Sequence, residues 1–592
     1  MTIYNKALQE AENFLNNEKQ FHLGMLPTEQ SNPKTRNIDL TFEKDPAGGV
    51  AALLSVDRDI QTMASKILNG NEFQKMVEAG VDTIAKGGKI VFSGCGSTGR
   101  LSILLEAMWR YFFRDLRYKY PDLYFQLKKN EDRVFSIMTG GDYAMIRSVE
   151  YFEDYQEFGK QQVRELEMTD GDMLIAITEG GETSSVLGTV EEAADRGAKV
   201  FLLFNNPVSV LVENIERSRR AIEDPRVTVL ELYCGPMAIA GSTRMQATTA
   251  ELLIAGAALE IILSRSIRHL IPHDLVEKLN IREIDFAMAF STLLDELLSA
   301  RNTETIASYI NHEKEIYQEK GLVTYYADEF LLDIFTDTTE RAPTFMLPPF
   351  RKSDDPVSPV SWAFVKSPLR STSSVWEHML GRPPRCLEWD SKLYREMGVP
   401  ETLASAPPKL DKNEILKFLI GNEKDDSRLL RTPNIAVNIL GSREILSPVY
   451  NDYQHALQQS ASRFQKQFTL IIGNVDADAD YQIACHPSSS ILNLMERLAV
   501  KLILNTISTG TMVLSGRVTG NWMSCVEISN KKLRDRGIRL ISEICGLSYR
   551  DACYALHEAI EKLKEETPTG EERLSPVQFT INQYGARDKS KY

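Results

Sequence analysis

Paired cysteines are missing from this sequence. Seven cysteines are scattered over 592 residues with no CxxC spacing, which argues against a disulfide framework and for a reducing, cytoplasmic setting. Histidine is scarce as well. The eight present form no HExxH or similar ligand cluster, so neither a metal site nor a bound cofactor is expected. Positive charge is in deficit: Lys+Arg number 68 against 82 Asp+Glu, a net −14, which argues against a nucleic-acid polyanion as main partner. A small phosphorylated ligand stays compatible, because a local nest of N–H groups outweighs the global field. The first residues (Met1 to Lys6) hold no apolar signal core, and no segment reads as long and apolar enough to span a membrane.

What is present is ordinary globular material, 43% apolar and 25% charged, in a chain too long for one core. Its most informative stretch is Ser93-Gly94-Cys95-Gly96-Ser97-Thr98-Gly99-Arg100. An apolar run (Lys89 to Phe92) feeds it and a helix-periodic run (Leu101 to Leu105) leaves it, which predicts strand, tight turn and helix start. Such a turn aims N–H groups and hydroxyls at an anion. The glycine spacing is not that of a dinucleotide fingerprint, and no Lys-Ser/Thr pair closes it as a P-loop.

Along the chain, residues 1–49 read as a helix and an irregular arm. From 50 to 300, helical patterns alternate with β-rich runs at Lys89–Phe92, Met173–Thr178, Val200–Phe204 and Val227–Leu232, predicting a doubly wound parallel sheet. A second alternation covers 301–510, with strands at Leu322–Tyr326, Asn434–Leu440 and Phe468–Ile472. A Pro-rich irregular insertion (343–408) follows its first strand. After Lys501 the pattern is wholly helical. Residues 511–592 are expected as a helical C-terminal piece with a mobile charged tail from about Glu565.

Two further loops extend the phosphate pattern. Ile177-Thr178-Glu179-Gly180-Gly181-Glu182-Thr183 follows a strand, and Gly241-Ser242-Thr243-Arg244-Met245 precedes a long apolar helix. In open parallel sheets, loops at the strand C-terminal ends form the ligand crevice. The competing reading of such loops is solvated helix caps.

These motifs carry a resemblance. Ile177–Thr183 resembles the second phosphate loop of sugar isomerase (SIS) domains. LPTEQSNP (26–33), GCGSTGRL (94–101), GGDYAMIRSVEYFED (140–154), GSTRM (241–245), LNTISTG (504–510) and NKKLRDR (530–536) look like N-acetylmuramic acid 6-phosphate etherases, in family order. The etherases are single-SIS chains that dimerise. This chain carries two SIS-like units, a layout similar to glucokinase regulatory proteins.

The resemblance implies two SIS-type, flavodoxin-like α/β domains packed as a pseudo-dimer, with a small helical C-terminal domain. It implies a sugar 6-phosphate ligand held by Gly96, Ser97, Thr98, Gly99, Glu150, Thr178, Glu179, Gly180, Thr183, Ser242 and Lys501. The family's first catalytic glutamate maps to Glu153. Its second falls on Met108 in the first unit, with Glu106 two positions away, but Thr336 to Phe345 of the second unit matches the missing run and supplies Glu340. The second unit's own phosphate turn has decayed to Ala327-Asp328-Glu329-Phe330-Leu331, where carboxylates repel a phosphate.

One composite site per chain is therefore expected, with Glu153 and Glu340 as catalytic pair. Two functions stand. The first is a carbon–oxygen lyase of etherase type in cell-wall sugar recycling, which eliminates lactate to give N-acetylglucosamine 6-phosphate. The second is a sugar-phosphate sensor that binds and inhibits a sugar kinase. An aldose–ketose isomerase fits the SIS loops but not the 140–154 run. An internal pseudo-dimer leaves both a monomer and a homo-oligomer open.

Overall fold

In the computed structural model, residues 3–149, 151–566, 572 and 574–585 are described. Five short apolar strands make the first sheet: β1 (Ile90–Gly94), β2 (Val134–Met138), β3 (Met173–Ile177), β4 (Lys199–Phe204) and β5 (Val227–Glu231). All pair in parallel, in the order β2-β1-β3-β4-β5. Every residue of β1 and β3 is buried, which explains why these strands read as unbroken apolar runs: helices cover both faces.

The second sheet holds β6 (Leu322–Tyr326), β7 (Ala363–Lys366), β8 (Asn434–Gly441), β9 (Lys466–Ile472) and β10 (Tyr481–Ile483). Its order, β7-β6-β8-β9-β10, is parallel throughout. Both sheets thus share the flavodoxin-like winding, whose ligand crevice opens where the strand order reverses. In the first sheet that point lies between the turns after β1 and β3.

Each sheet is followed by a long buried helix, Gln246–Ile267 in the first unit and Leu494–Leu514 in the second. A Cβ on Gly256 would stand 2.5 Å from Leu494 Cδ1, so the two helices touch at the glycine. The stretch Gln246–Leu270 is long and apolar enough to cross a membrane by length and composition, contrary to the reading from sequence, and 89% of its apolar window is buried. Side chains from both units merge in one apolar core. Asp337 ties the units together: Arg244 Nη1 (3.1 Å), Asn505 Nδ2 (2.9 Å) and Ser508 Oγ (3.0 Å) all donate to its Oδ1.

Three expectations need correction. The insertion at 343–408 is not wholly irregular, since it supplies β7 and the helices Thr372–Leu380 and Ser391–Glu396. Prolines bounding short segments masked them. The chain beyond Lys501 is not wholly helical either: after Leu514 it runs irregularly to Asn530, pairing Trp522 with Ala240 and Thr519. The expected mobile tail contains a helix, Pro576–Tyr584, capped by Ser575 and docked through Val577 and Ile581. That helix joins Lys531–Cys545, Tyr549–Glu566 and the N-terminal Ile3–Asn17 in a separate small core around Phe14, Ile541 and Leu556.

Candidate functional site

The turn after β1 is built by glycines at two different duties. Gly96 has φ +56 and ψ −121, a conformation that side chains resist, and a Cβ there would meet nothing within 4 Å. Gly94, by contrast, lies against the helix: a Cβ would fall 2.4 Å from the Thr98 carbonyl. Thr98 folds back on the turn, its Oγ1 accepting from Cys95 N (3.0 Å) and donating to Cys95 O (2.9 Å). Ser97 begins the helix Ser97–Lys119, and its Oγ pairs with Thr243 Oγ1 at 2.9 Å. The first and third predicted loops therefore meet.

They meet at a cavity of about 180 Å³. Its walls include Gly96, Ser97 and Ser242 from the loops, Glu153 from the 140–154 run, and Glu340 from the second unit. Glu340 rides on the helix Leu331–Phe345, is 5% exposed, and accepts from Arg100 Nη1 in a buried ion pair. Arg100 also donates to the carbonyls of Met145 (2.9 Å) and Ala144 (3.1 Å). One guanidinium thus joins the phosphate-turn helix, the 140–154 run and the second unit's glutamate.

Glu153 sits in another environment. Its Oε1 accepts from Asn530 Nδ2 at 2.6 Å. Burial pushes its carboxyl up to about 7; Lys532 opposes this, while Asp154 and Glu182 add to it. Burial likewise pushes neighbouring Asp154 up to about 6. Two carboxyl groups in one cavity thus have different partners, one an arginine and the other an amide, which is the condition for dividing acid and base duties.

Lys532 and Arg536 also line the cavity. Lys532 Nζ donates to Glu182 Oε1 at 2.9 Å, and Glu182 also takes Arg217 Nη2 at 2.7 Å. Against the upward push of burial, those cations hold Glu182 down to about 2. Arg536 forks onto Glu29 of the N-terminal arm, at 2.9 and 2.6 Å. Neither cation was singled out from sequence, although both stand in the quoted NKKLRDR run.

Other predicted residues fall elsewhere. Thr98 and Gly99 shape the turn without lining the cavity. Thr178, Glu179, Gly180 and Thr183 do not line it either, and Thr178 Oγ1 donates to Thr183 Oγ1 at 3.1 Å. Cavity-lining Thr139 reaches the helix after that loop through Ser185 Oγ (2.8 Å). Burial pushes Glu179 up to about 8, so at neutral pH it adds no charge beside a phosphate. Lys501 does not face the cavity. Its ammonium is engaged by Thr249 Oγ1 (2.7 Å), the carbonyls of Arg244 (3.1 Å) and Met245 (3.3 Å), and Asn505 Oδ1 (3.1 Å). Lys501 therefore holds the GSTRM segment in place. Glu150 lies outside the described residues.

The chain is 30% identical over 232 residues to the N-acetylmuramic acid 6-phosphate etherase of Lactococcus lactis subsp. lactis (strain IL1403), covering 39% of this chain and 68% of that one. It belongs to the N-acetylmuramic acid 6-phosphate etherase family. The family member of Rippkaea orientalis (strain PCC 8801 / RF-1) is 31% identical over 226 residues, 38% of this chain and 64% of that one. The chain spans about two thirds of the length of these curated relatives. The family model of the glucokinase regulatory protein N-terminal SIS domain matches residues 72–194. Among solved structures, the C-terminal domain of glucosamine-fructose-6-phosphate aminotransferase from Francisella tularensis aligns at 10% identity and TM-score 0.38, over 75% of this chain and 95% of that one.

In this etherase-family chain the carboxylates of the second unit's turn carry ion pairs of their own. Asp328 binds Arg370, and Glu329 binds Arg443. Glu106, two positions from Met108, turns to the insertion, where Arg382 and Arg385 pair with it alongside Arg110.

Proposed function

We propose that this protein is a lyase of N-acetylmuramic acid 6-phosphate etherase type with one composite active site per chain. The observation that supports it most is the single cavity shared by the phosphate-turn residues Gly96 and Ser97, by Glu153, and by Glu340 of the other unit.

The reaction removes the proton next to the sugar carbonyl. The C3–O ether bond then breaks, and lactate leaves with the ether oxygen and a proton. Water adds across the resulting double bond to give N-acetylglucosamine 6-phosphate. Proton removal and leaving-group protonation each require a placed group. Glu153, pushed up to about 7, suits the proton donor. Glu340, held in its ion pair by Arg100, suits the acceptor. The phosphate rests on the turn's N–H groups and the Ser97 and Ser242 hydroxyls, with Lys532 and Arg536 in place of Lys501 as the lining cations. Lys501, Thr98 and Gly99 are positioning residues.

A second reading is a sugar-phosphate sensor that docks on and inhibits a sugar kinase. The match to the glucokinase regulatory protein model over 72–194 favours it. The two part on one assay: lactate release from N-acetylmuramic acid 6-phosphate by the purified chain. Release supports the lyase. No release, with thermal stabilisation by fructose or N-acetylglucosamine phosphates, supports the sensor.

A further inference from the structure

The duplication leaves an image of the candidate cavity further along the helix Ser97–Lys119. A second cavity of about 150 Å³ is lined by Met108 and Tyr111 of the helix Ser97–Lys119, by Glu329 of the decayed turn, and by Ser490, Ile491 and Leu492. The correspondence is residue by residue. Met108 follows Ser97 by eleven positions, and Glu340 follows Glu329 by the same eleven. Ser490 to Leu492 precede the helix Leu494–Leu514, just as Gly241 to Thr243 precede Gln246–Ile267. In this image the catalytic carboxylate has become Met108 and the turn hydroxyl has become Glu329. No acid–base pair survives there.

The cavity has nevertheless gained cations. Arg114, Lys119, Lys278, Arg443 and Arg497 line it, against the two carboxylates Asp115 and Glu329. This excess stands out in a chain of net charge −14. Arg497 is 3% exposed, pairs with Asp333, and leaves its Nε without a hydrogen-bond partner. Arg443 pairs with Glu329 and, at 3.5 Å, Glu496, and its Nε is unpartnered too. For Arg497, a buried guanidinium short of an acceptor is costly, and an entering anion supplies one. The helix N-terminus beside the cavity is already capped: Glu260 Oε1 accepts from Leu492 N (3.2 Å) and Leu494 N (3.1 Å). Recognition therefore falls to the side chains.

We propose that this second cavity is a regulatory site for a small phosphate-bearing metabolite, with no chemistry of its own. Two rigid elements connect it to the first cavity. The helix Ser97–Lys119 begins in the first with Ser97 and lines the second with Met108, Tyr111 and Asp115. The turn carrying Glu329 leads into the helix Leu331–Phe345, which delivers Glu340 to the first. An anion that draws Arg443 from Glu329 acts at the base of the element that positions Glu340.

The test uses the full chain, with inorganic phosphate and N-acetylglucosamine 6-phosphate as probes in titration calorimetry. Arg497 is a poor target, because removing one member of a buried ion pair endangers folding. Lys119 and Lys278 are exposed, so Lys119→Glu with Lys278→Glu leaves the fold intact. Two phosphate sites per chain are expected. The double variant should weaken one of them at least 10-fold and leave N-acetylglucosamine 6-phosphate affinity at the first within 2-fold. In the wild type, phosphate at the second site should shift that affinity; in the variant it should not. A single phosphate site, abolished by Ser97→Ala with Thr98→Ala and untouched by the lysine variant, would overturn the proposal. Neither outcome depends on lactate release.

Discussion

The Arg100–Glu340 pair is the most exacting point of the account, because it joins two halves of the chain inside the proposed site. Glu340→Met places in the first cavity the residue that Met108 supplies in its image. Arg100 then keeps its two carbonyl acceptors, at 2.9 and 3.1 Å, but loses its counter-charge while only 1% exposed. Removing one partner of a buried pair costs about 3–5 kcal/mol. Arg100→Met strands the Glu340 carboxylate at a similar cost and in addition leaves those two carbonyls undonated. The double variant buries no unpaired charge. Its remaining cost is the two undonated carbonyls, about 1–3 kcal/mol each at most. Urea unfolding followed by tryptophan fluorescence should therefore give a double variant less destabilised than the sum of the singles by about 3 kcal/mol or more. Additive single costs, or a Glu340→Met cost below about 1 kcal/mol, would refute the buried pair as the bridge between the units.

Other outcomes follow from the same geometry. Glu179 holds its proton in the folded chain up to about 8, against a usual 4.5, so wild-type stability should fall as pH rises between those values. Glu179→Gln removes that fall, and its advantage over wild type should grow from near zero at pH 4 to at most about 5 kcal/mol at pH 9; a constant difference across pH would contradict the assignment. If protonated Glu153 is the donor, kcat should decline above about pH 7, and a rate unchanged to pH 9 would remove it from that role. Gly96→Ala should cost about 1–3 kcal/mol of backbone strain and lower sugar-phosphate affinity, whereas Gly94→Ala should disrupt the fold by driving a Cβ into the Thr98 carbonyl; circular dichroism and calorimetry separate the two.

Much of the fold was legible because parallel strands buried on both faces leave continuous apolar runs. β1, β3, β4, β6 and β8 announced themselves this way, and β5 and β9 did so as apolar runs although they are only partly buried. β2, β7 and β10 did not. β2 is a five-residue edge strand whose apolar run is broken by Ser136. β7 is four residues inside a Pro-rich insertion and β10 three residues at a sheet edge, too short for periodicity to register. Glu153 and Glu340 were legible through motif runs, each local in sequence. The cations around them were harder to place. Lys532 and Arg536 come to the cavity from a helix whose packing on the N-terminal arm is set by Glu29, about 500 residues away in sequence. Lys501 sits differently from what the motif implied. A lysine in a matching motif reads as a ligand, but here its ammonium donates to backbone carbonyls of the GSTRM segment.

The most direct measurement is lactate release from N-acetylmuramic acid 6-phosphate by Glu153→Gln, by Glu340→Gln, and by an equal mixture of the two, each beside the wild type. A composite site within one chain predicts release by the wild type alone. Each variant should be silent, and so should the mixture, because every chain in it lacks one carboxylate. Wild-type rates in either variant, or activity regained on mixing, would contradict a site assembled from the two halves of a single chain.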